Sequence, residues 1–259
     1  MVISGLDSAI LPTRIFRRLA PQLKPTVSVV HTLKAAGLTL LMCTNVLITA
    51  TRAADNLGEA IPSASDSAIV RLEIPLQRHN GARLQHVTEH CSGTLIDRAK
   101  GMILTAWHCF DGNMDLTRPP TAWIRGRWHQ VRLAVHGGEI NNDWAIAYVT
   151  DPSSIDEPAM PYELSELSVG LDITMVGYQR MGKKNSSEWL KAATSCKIAR
   201  HGDDWIEANC RLNKGASGGA VVRMHQGKPN LIGIISAKSS EGGVWFVPLT
   251  RLRTQLSPP

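Results

Sequence analysis

Residues Met102–Cys109, with the sequence MILTAWHC, form an apolar, strand-like run that ends directly before a histidine and a cysteine. The end of a strand is a rigid mount for a side chain, and a disulfide at Cys109 would hold the loop that carries His108. A lone histidine is more often structural than catalytic, so this run by itself is not decisive. Its place directly after an apolar strand makes His108 a candidate general base.

Short strand-like runs lie on both sides of this stretch at fairly even spacing, separated by Gly, Asn and Asp turns. They are predicted at residues 69–74, 84–87, 91–96, 102–106, 121–124, 130–135, 144–149, 173–178, 192–198, 205–210, 219–224, 231–237 and 243–247. Residues 151–168 are rich in Pro, Ser, Glu and Asp and are predicted to connect two halves. Residues 250–256 are predicted as a short closing helix. The pattern indicates an all-β protein with two barrels or sandwiches, at residues 67–150 and 169–259.

Two further stretches carry candidate partners for His108. Asp143 follows two asparagines and precedes the apolar run Trp144–Val149, so its carboxylate lies at the lip of a predicted strand. Ser217 lies at the centre of GASGG, residues 215–219. Each stretch alone is explained equally well by a turn, with Asp143 as a turn-capping residue. Together, in the order His, Asp, Ser, the three residues predict a Ser-His-Asp hydrolase.

The glycines beside Ser217 let the backbone turn sharply and bring two N–H groups toward one point. We predict that the amides of Gly215 and Ser217 hold a developing oxyanion, a contribution of about 3 kcal/mol per donor in comparable sites. The same Gly-x-Ser-x-Gly spacing occurs in the nucleophile elbow of α/β-hydrolases. That fold places its Asp and His after the serine, whereas the residues after Ser217 are predicted strands.

His86, Glu89 and His90 fit the inverted zinc-protease pattern, which requires a helix. They lie next to a strand-like run, and four residues of a strand span roughly 13 Å, too far for both histidines to bind one metal. The pattern is therefore not interpreted as a metal site.

With these residues in place, the chain resembles the trypsin-like serine proteases of chymotrypsin fold. It is more similar to their compact bacterial, glutamyl-endopeptidase-like branch than to digestive trypsins. The resemblance spans roughly residues 69–256 and implies two six-stranded antiparallel Greek-key β-barrels with the active site in the cleft between them. His108 matches the general base of the family, Asp143 the acid that orients it, and Ser217 the nucleophile.

The resemblance also implies where a substrate binds. Ile235–Ala237 matches the strand that pairs with the substrate backbone, with Ser236 at its centre. Arg211 matches the residue that often forms the floor of the specificity pocket, and Lys238 falls on the opposite wall. Two cations would favour an acidic side chain before the scissile bond, although glutamate-specific relatives carry a histidine at the position of Ile235.

The first 53 residues have the pattern of a secretory leader. Residues 35–50 are uncharged and mostly apolar, and Thr51–Ala53 places small residues where a signal peptidase reads them. We predict a signal peptide with a long n-region at residues 1–53 and a flexible lead-in at residues 54–66. An uncleaved anchor or a buried helix is the alternative. Cleavage predicts a secreted or periplasmic protein with no stable membrane insertion.

The formal net charge of +6 is concentrated in that leader, which carries +5 and leaves +1 for the rest of the chain. A mature chain with so little excess charge lacks the basic surface that nucleic acids require. We therefore expect no nucleic-acid partner.

Five cysteines are present, and removal of the leader removes Cys43 and leaves four. An even number in an exported domain favours two disulfides, for which three pairings exist. We predict Cys91–Cys109 and Cys196–Cys210, because each pair closes a short loop within one half. A loop of this size stabilises a fold by roughly 3 kcal/mol. No pair has the close spacing of a zinc knuckle, so a zinc site is disfavoured.

The sequence thus predicts an exported serine endopeptidase that hydrolyses a polypeptide through an acyl-enzyme, without a metal or an organic cofactor. The alternative is a binding protein on the same fold that has lost turnover.

Overall fold

The computed structural model describes residues 66–139, 141–182 and 188–256. The predicted signal peptide, and the lead-in up to residue 65, lie outside the described residues. Within the described ranges, no helix combines the length and the apolar character needed to cross a membrane.

Seven antiparallel strands form the first half of the described chain. They are β1 Ile69–Asn80, β2 Arg83–Asp97, β3 Met102–Thr105, β4 Asn113–Met114, β5 Thr121–Ile124, β6 Arg127–His136 and β7 Ala145–Val149. Six of them close into a ring in the order β1-β2-β3-β7-β6-β5, and the two-residue β4 pairs with the outer part of β1. The predicted six-stranded barrel is confirmed.

A second closed barrel follows the connecting segment. Its strands are β8 Asp172–Arg180, β9 Trp189–His201, β10 Ile206–Ala208, β11 Ala220–His225, β12 Lys228–Lys238 and β13 Val244–Pro248. Their order is β8-β9-β10-β13-β12-β11, so the third strand of each barrel lies beside the sixth and not beside the fourth. This shared order is a Greek-key arrangement. The last described residues form a 3₁₀ turn, Leu249–Leu252, and a short helix α1, Arg253–Leu256, as predicted.

Alternating burial along the strands builds the core. In β1, Val70, Leu72 and Ile74 are fully buried, whereas Arg71 and Glu73 between them are partly exposed and form an ion pair at 3.2 Å. Side chains of a strand point to opposite faces in turn, so one face of β1 fills the barrel and the other meets solvent. One buried apolar cluster includes residues of both barrels, which therefore pack directly against each other.

The main departure from the sequence prediction is β2. Residues 84–87 and 91–96 were expected as two strands, but β2 runs unbroken and pairs with β1 from Ile69–Thr94 to Asn80–Arg83. Most outer residues of this hairpin are polar, and residues 78–80 and 83–86 are exposed. Backbone groups here are satisfied by the cross-strand ladder, so the strand continues through residues 88–90 although their polar side chains carry no hydrophobic signal.

Candidate active site

His108 lies on a 3₁₀ turn, Trp107–Cys109, that follows β3 directly. The next residue, Cys109, forms a disulfide with Cys91 of β2, and the two Cα atoms are 6.3 Å apart. On its other side, Trp107 stacks on His136 at the end of β6, with ring centroids 3.6 Å apart. A covalent bond and an aromatic stack thus hold the turn that carries the imidazole.

Asp143 is fully buried and bonds to His108 twice. The His108 backbone N–H donates to one carboxylate oxygen at 2.8 Å, and the ring Nδ1 lies 2.7 Å from the other. The Ser236 hydroxyl donates to that second oxygen as well. The carboxylate therefore fixes the ring orientation and favours the tautomer with the proton on Nδ1, which leaves Nε2 as the acceptor.

The two groups shift each other's pKa. Burial alone would raise the pKa of Asp143, but the hydrogen bond and charge of His108, with the Ser236 hydroxyl, outweigh burial and lower it. Burial alone would lower the pKa of His108, but the hydrogen bond and charge of Asp143 outweigh burial and raise it. The site is therefore built to stabilise an imidazolium.

Ser217 and His108 line the same cavity, of about 340 Å³, in the cleft between the barrels. The Ser217 hydroxyl donates to the backbone carbonyl of Ser236 at 3.2 Å. Among the described residues, no hydrogen bond joins this hydroxyl to the His108 ring. The structure thus brings the three predicted residues to one cleft. Asp143 bonds directly to His108, whereas the Ser217 hydroxyl bonds to the Ser236 carbonyl.

The backbone around Ser217 leaves two amides without a protein acceptor. Ala216, Gly218 and Gly219 donate their N–H groups to the carbonyls of Asn213, Ile235 and Ala216. Within the described part of the chain, the N–H groups of Gly215 and Ser217 donate to no protein group. Gly215 has a φ of 97°, a left-handed conformation that favours glycine. These are the two amides expected from the sequence to face a developing oxyanion.

Ser92 of β2 connects the first barrel to the loop of Ser217, and no sequence pattern indicated this role. Its hydroxyl accepts the N–H of Tyr178 at 2.8 Å and donates to the Gly215 carbonyl at 2.7 Å. Its N–H donates to the Ser217 carbonyl at 2.8 Å, and its carbonyl accepts the Thr105 hydroxyl at 2.7 Å. Ser92 is fully buried, so each of these bonds is shielded from water.

Arg211 and Lys238 line one cavity of about 320 Å³ together with Cys210 and Val244. Both cations are exposed at its mouth, and no acidic residue of the described chain lines it. Ile235 is buried in the core of the second barrel and does not line the cavity. Ser236 is buried against Asp143. The structure thus places Arg211 and Lys238 together, with Ser236 beside the carboxylate.

The other sequence patterns have structural partners. Cys91 and Cys109 lie near His108, but both sulfurs are joined to each other and offer no thiolate for a metal. His86 bonds to the buried Asp115, with its Nδ1 2.8 Å from the carboxylate. Cys196 and Cys210 form the second disulfide, with Cα atoms 5.4 Å apart.

The family model of the trypsin-like peptidase domain matches residues 91–234, more than half of the chain. The chain belongs to the trypsin-like peptidase family. This membership and the two-barrel fold both support a protease function. No curated protein matches the chain significantly.

Solved structures with the same fold include two forms of the Rv3671c protease from M. tuberculosis. Its active form is 16% identical, with a TM-score of 0.56, and the match covers 75% of this chain and 81% of that one. Its inactive form is 15% identical, with a TM-score of 0.54, covering 75% of this chain and 89% of that one. At such identity these structures show the fold alone. They do not assign this chain to the glutamyl-endopeptidase-like branch.

Proposed function

We propose that this protein is an exported serine endopeptidase with His108, Asp143 and Ser217 as its catalytic residues. The observation that carries the proposal is the buried Asp143 carboxylate, bonded twice to His108 at the cavity that Ser217 also lines. A carboxylate placed in this way raises the basicity of an imidazole at a position where a substrate carbonyl can reach the serine.

The reaction follows from these positions. Ser217 exchanges its bond to the Ser236 carbonyl for one to Nε2 of His108, which takes the hydroxyl proton as the oxygen attacks a peptide carbonyl. The N–H groups of Gly215 and Ser217 donate to the resulting oxyanion. His108 then protonates the leaving amine, which leaves an ester on Ser217. Water, deprotonated by His108, attacks this ester and releases the acid.

The cavity of Arg211 and Lys238 supports a preference for an acidic side chain before the scissile bond. Neither cation forms an ion pair with another described residue, so both charges are available to a substrate carboxylate. Ser236, at the centre of the strand next to this cavity, is proposed to pair with the substrate backbone. A peptide panel cleaved equally well after Glu and Gln would contradict this preference.

Export is supported by two disulfides in the described chain and by the leader pattern of residues 1–53. Expression of the full chain in a bacterium is expected to yield a mature protein that begins at Ala54. N-terminal sequencing of the exported fraction measures this directly, and a mature chain that retains residues 35–50 would contradict it.

A fluorophosphonate probe tests the catalytic proposal, because it labels only an activated serine. The purified protein is expected to be labelled, and the Ser217→Ala protein is not. Ser154→Ala, which changes an exposed serine, is the matched control and is expected to label like the wild type. Hydrolysis of a casein substrate is expected to disappear with the label.

A binding protein without turnover is the second candidate, because the Ser217 hydroxyl bonds to the Ser236 carbonyl and not to His108. A folded wild-type protein that takes no label, and leaves casein intact from pH 6 to 9, would favour this candidate and overturn the proposed function.

A further inference from the structure

The cavity that contains His108 and Ser217 is distinct from the cavity of Arg211 and Lys238. Its walls include Glu89 and His90 of β2, and Arg180, Trp189 and Lys214 from the second barrel. The two cavities share no lining residue: the chain before Ser217 contributes residues 210–213 to one and residues 214 and 215 to the other. If the side chain before the scissile bond lies at Arg211 and Lys238, this second cavity receives the residues that follow the bond.

An aromatic wall gives this second cavity a defined shape. The rings of His90 and Trp189 stack across the two barrels, with centroids 4.6 Å apart and planes at 27°. The Trp189 ring also covers Gly215, where a Cβ atom would overlap it. The ring therefore lies directly beside one of the two amides proposed to hold the oxyanion. A peptide leaving through this cavity must pass over the aromatic wall.

The charges around the wall are predominantly positive. Glu89, the acidic residue of the cavity, already pairs with Arg78 at 3.1 Å. Lys214 is exposed and forms no ion pair with any described residue. Arg180 adds a second cation. The backbone N–H of Arg180 donates to the backbone carbonyl of Lys214 at 2.8 Å, so the two residues lie side by side. An anionic group that enters the cavity thus meets Lys214 and Arg180, whereas the single carboxylate of the cavity, that of Glu89, is shared with Arg78.

We propose that Lys214 and Arg180 select an acidic side chain in the first two residues after the scissile bond, over the aromatic wall of His90 and Trp189. This inference rests on the proposed function, because it needs cleavage at Ser217. It names a substrate class: peptides with acidic residues close after the cut, in addition to any preference before it. Lys214 and Arg180 act here as specificity-determining residues and not as catalytic ones.

The test begins with a proteome-derived peptide library, digested by the wild-type protein and sequenced at the cut sites. Peptides of one cleaved sequence are then made with Glu, Gln or Lys at the second residue after the cut. We expect kcat/KM to be about fivefold higher for Glu than for Gln, the upper range for one partly exposed ion pair. This ratio is expected to fall to about one in the Lys214→Gln, Arg180→Gln double variant and to favour Lys in Lys214→Glu.

The matched control is Lys228→Gln, which changes an exposed lysine at the start of β12 that lines neither cavity. This variant is expected to keep the fivefold ratio. Thermal unfolding of each variant identifies a folding defect. If the double variant does not fold, the single variant Lys214→Gln is used in its place. Equal cleavage of the Glu and Gln peptides by the wild type, or an unchanged ratio in the variants, would overturn the inference.

Failure of the proposed function is recognised separately. If the protein takes no fluorophosphonate label, the same peptides are measured for binding to the Ser217→Ala protein by fluorescence anisotropy. Tighter binding of the Glu peptide that is lost in Lys214→Gln then supports the cationic cavity as a peptide site, although catalysis fails. Equal binding of the Glu and Gln peptides overturns it.

Discussion

At the scale of single residues, Asp143 sets the protonation of His108, so the proposed mechanism makes a pH prediction. The base must be neutral to accept the serine proton, and its pKa is raised by the hydrogen bond and charge of Asp143 that outweigh burial. Activity is therefore lost as pH falls through this raised pKa. Asp143→Asn removes the carboxylate that raises the pKa of His108, so the acid limb of kcat/KM is expected to move to lower pH. The same variant is expected to lower kcat about 10⁴-fold.

A pH profile of kcat/KM, measured with one peptide, checks the shift. Asp172→Asn, which removes a carboxylate paired on the surface with Lys197, is the control and is expected to leave the acid limb in place. An acid limb at the same pH in Asp143→Asn and the wild type would show that another group controls the profile.

Ser92 is the residue whose importance only the structure reveals. Its buried hydroxyl links the Tyr178 N–H to the Gly215 carbonyl, so Ser92→Ala leaves two backbone groups without a partner. We expect a loss of about 1–3 kcal/mol in the free energy of unfolding. Because the same bond anchors the Gly215 backbone, kcat is expected to fall more than KM rises.

Urea unfolding and steady-state kinetics of Ser92→Ala measure these two effects. Ser154→Ala, which changes an exposed serine in the segment that connects the barrels, is expected to change stability by about 0.5 kcal/mol or less. A Ser92→Ala protein that is less stable but keeps its kcat would limit Ser92 to a structural role.

At the scale of elements, the two disulfides hold different parts of the cleft. Cys91–Cys109 closes 18 residues and fixes the turn of His108, whereas Cys196–Cys210 closes 14 residues, and Cys210 lines the cavity of Arg211. Replacing either pair by alanine is expected to cost about 3 kcal/mol. The first replacement is expected to lower kcat, and the second to raise KM.

Thermal unfolding and steady-state kinetics of the two double variants test this division, with each pair as the control for the other. Identical effects of both replacements on kcat and KM would contradict it.

Much of this architecture could be predicted from sequence, because strand alternation and turn residues are local signals. The barrels, the closing helix and the stretches of His108, Asp143 and Ser217 all have such signals. The continuity of β2 did not, because residues 88–90, which join the two predicted strands, are polar and are held by pairing with β1. Ser92 was missed for a related reason: its partners Tyr178 and Gly215 are 86 and 123 residues away.

At the scale of the whole molecule, two barrels of the same strand order place a cationic cavity on each side of the Ser217 loop. Arg211 and Lys238 lie on one side, Arg180 and Lys214 on the other. Residues 54–259 have a net charge of +1, so this field is local to the cleft and not a property of the whole surface. Screening by salt should therefore depend on the charge of the peptide that enters the cleft.

For a peptide with Glu on both sides of the cut, kcat/KM is expected to fall about fivefold as ionic strength rises from about 10 to 150 mM. The reason is that the Debye length shortens from about 30 to 8 Å over this range. The change is expected in KM, because both cavities bind the substrate and the transition state alike. A peptide with Gln at both positions is the control and is expected to change by less than about twofold. Equal salt dependence of the two peptides would show that the cations around the cleft do not contact the substrate.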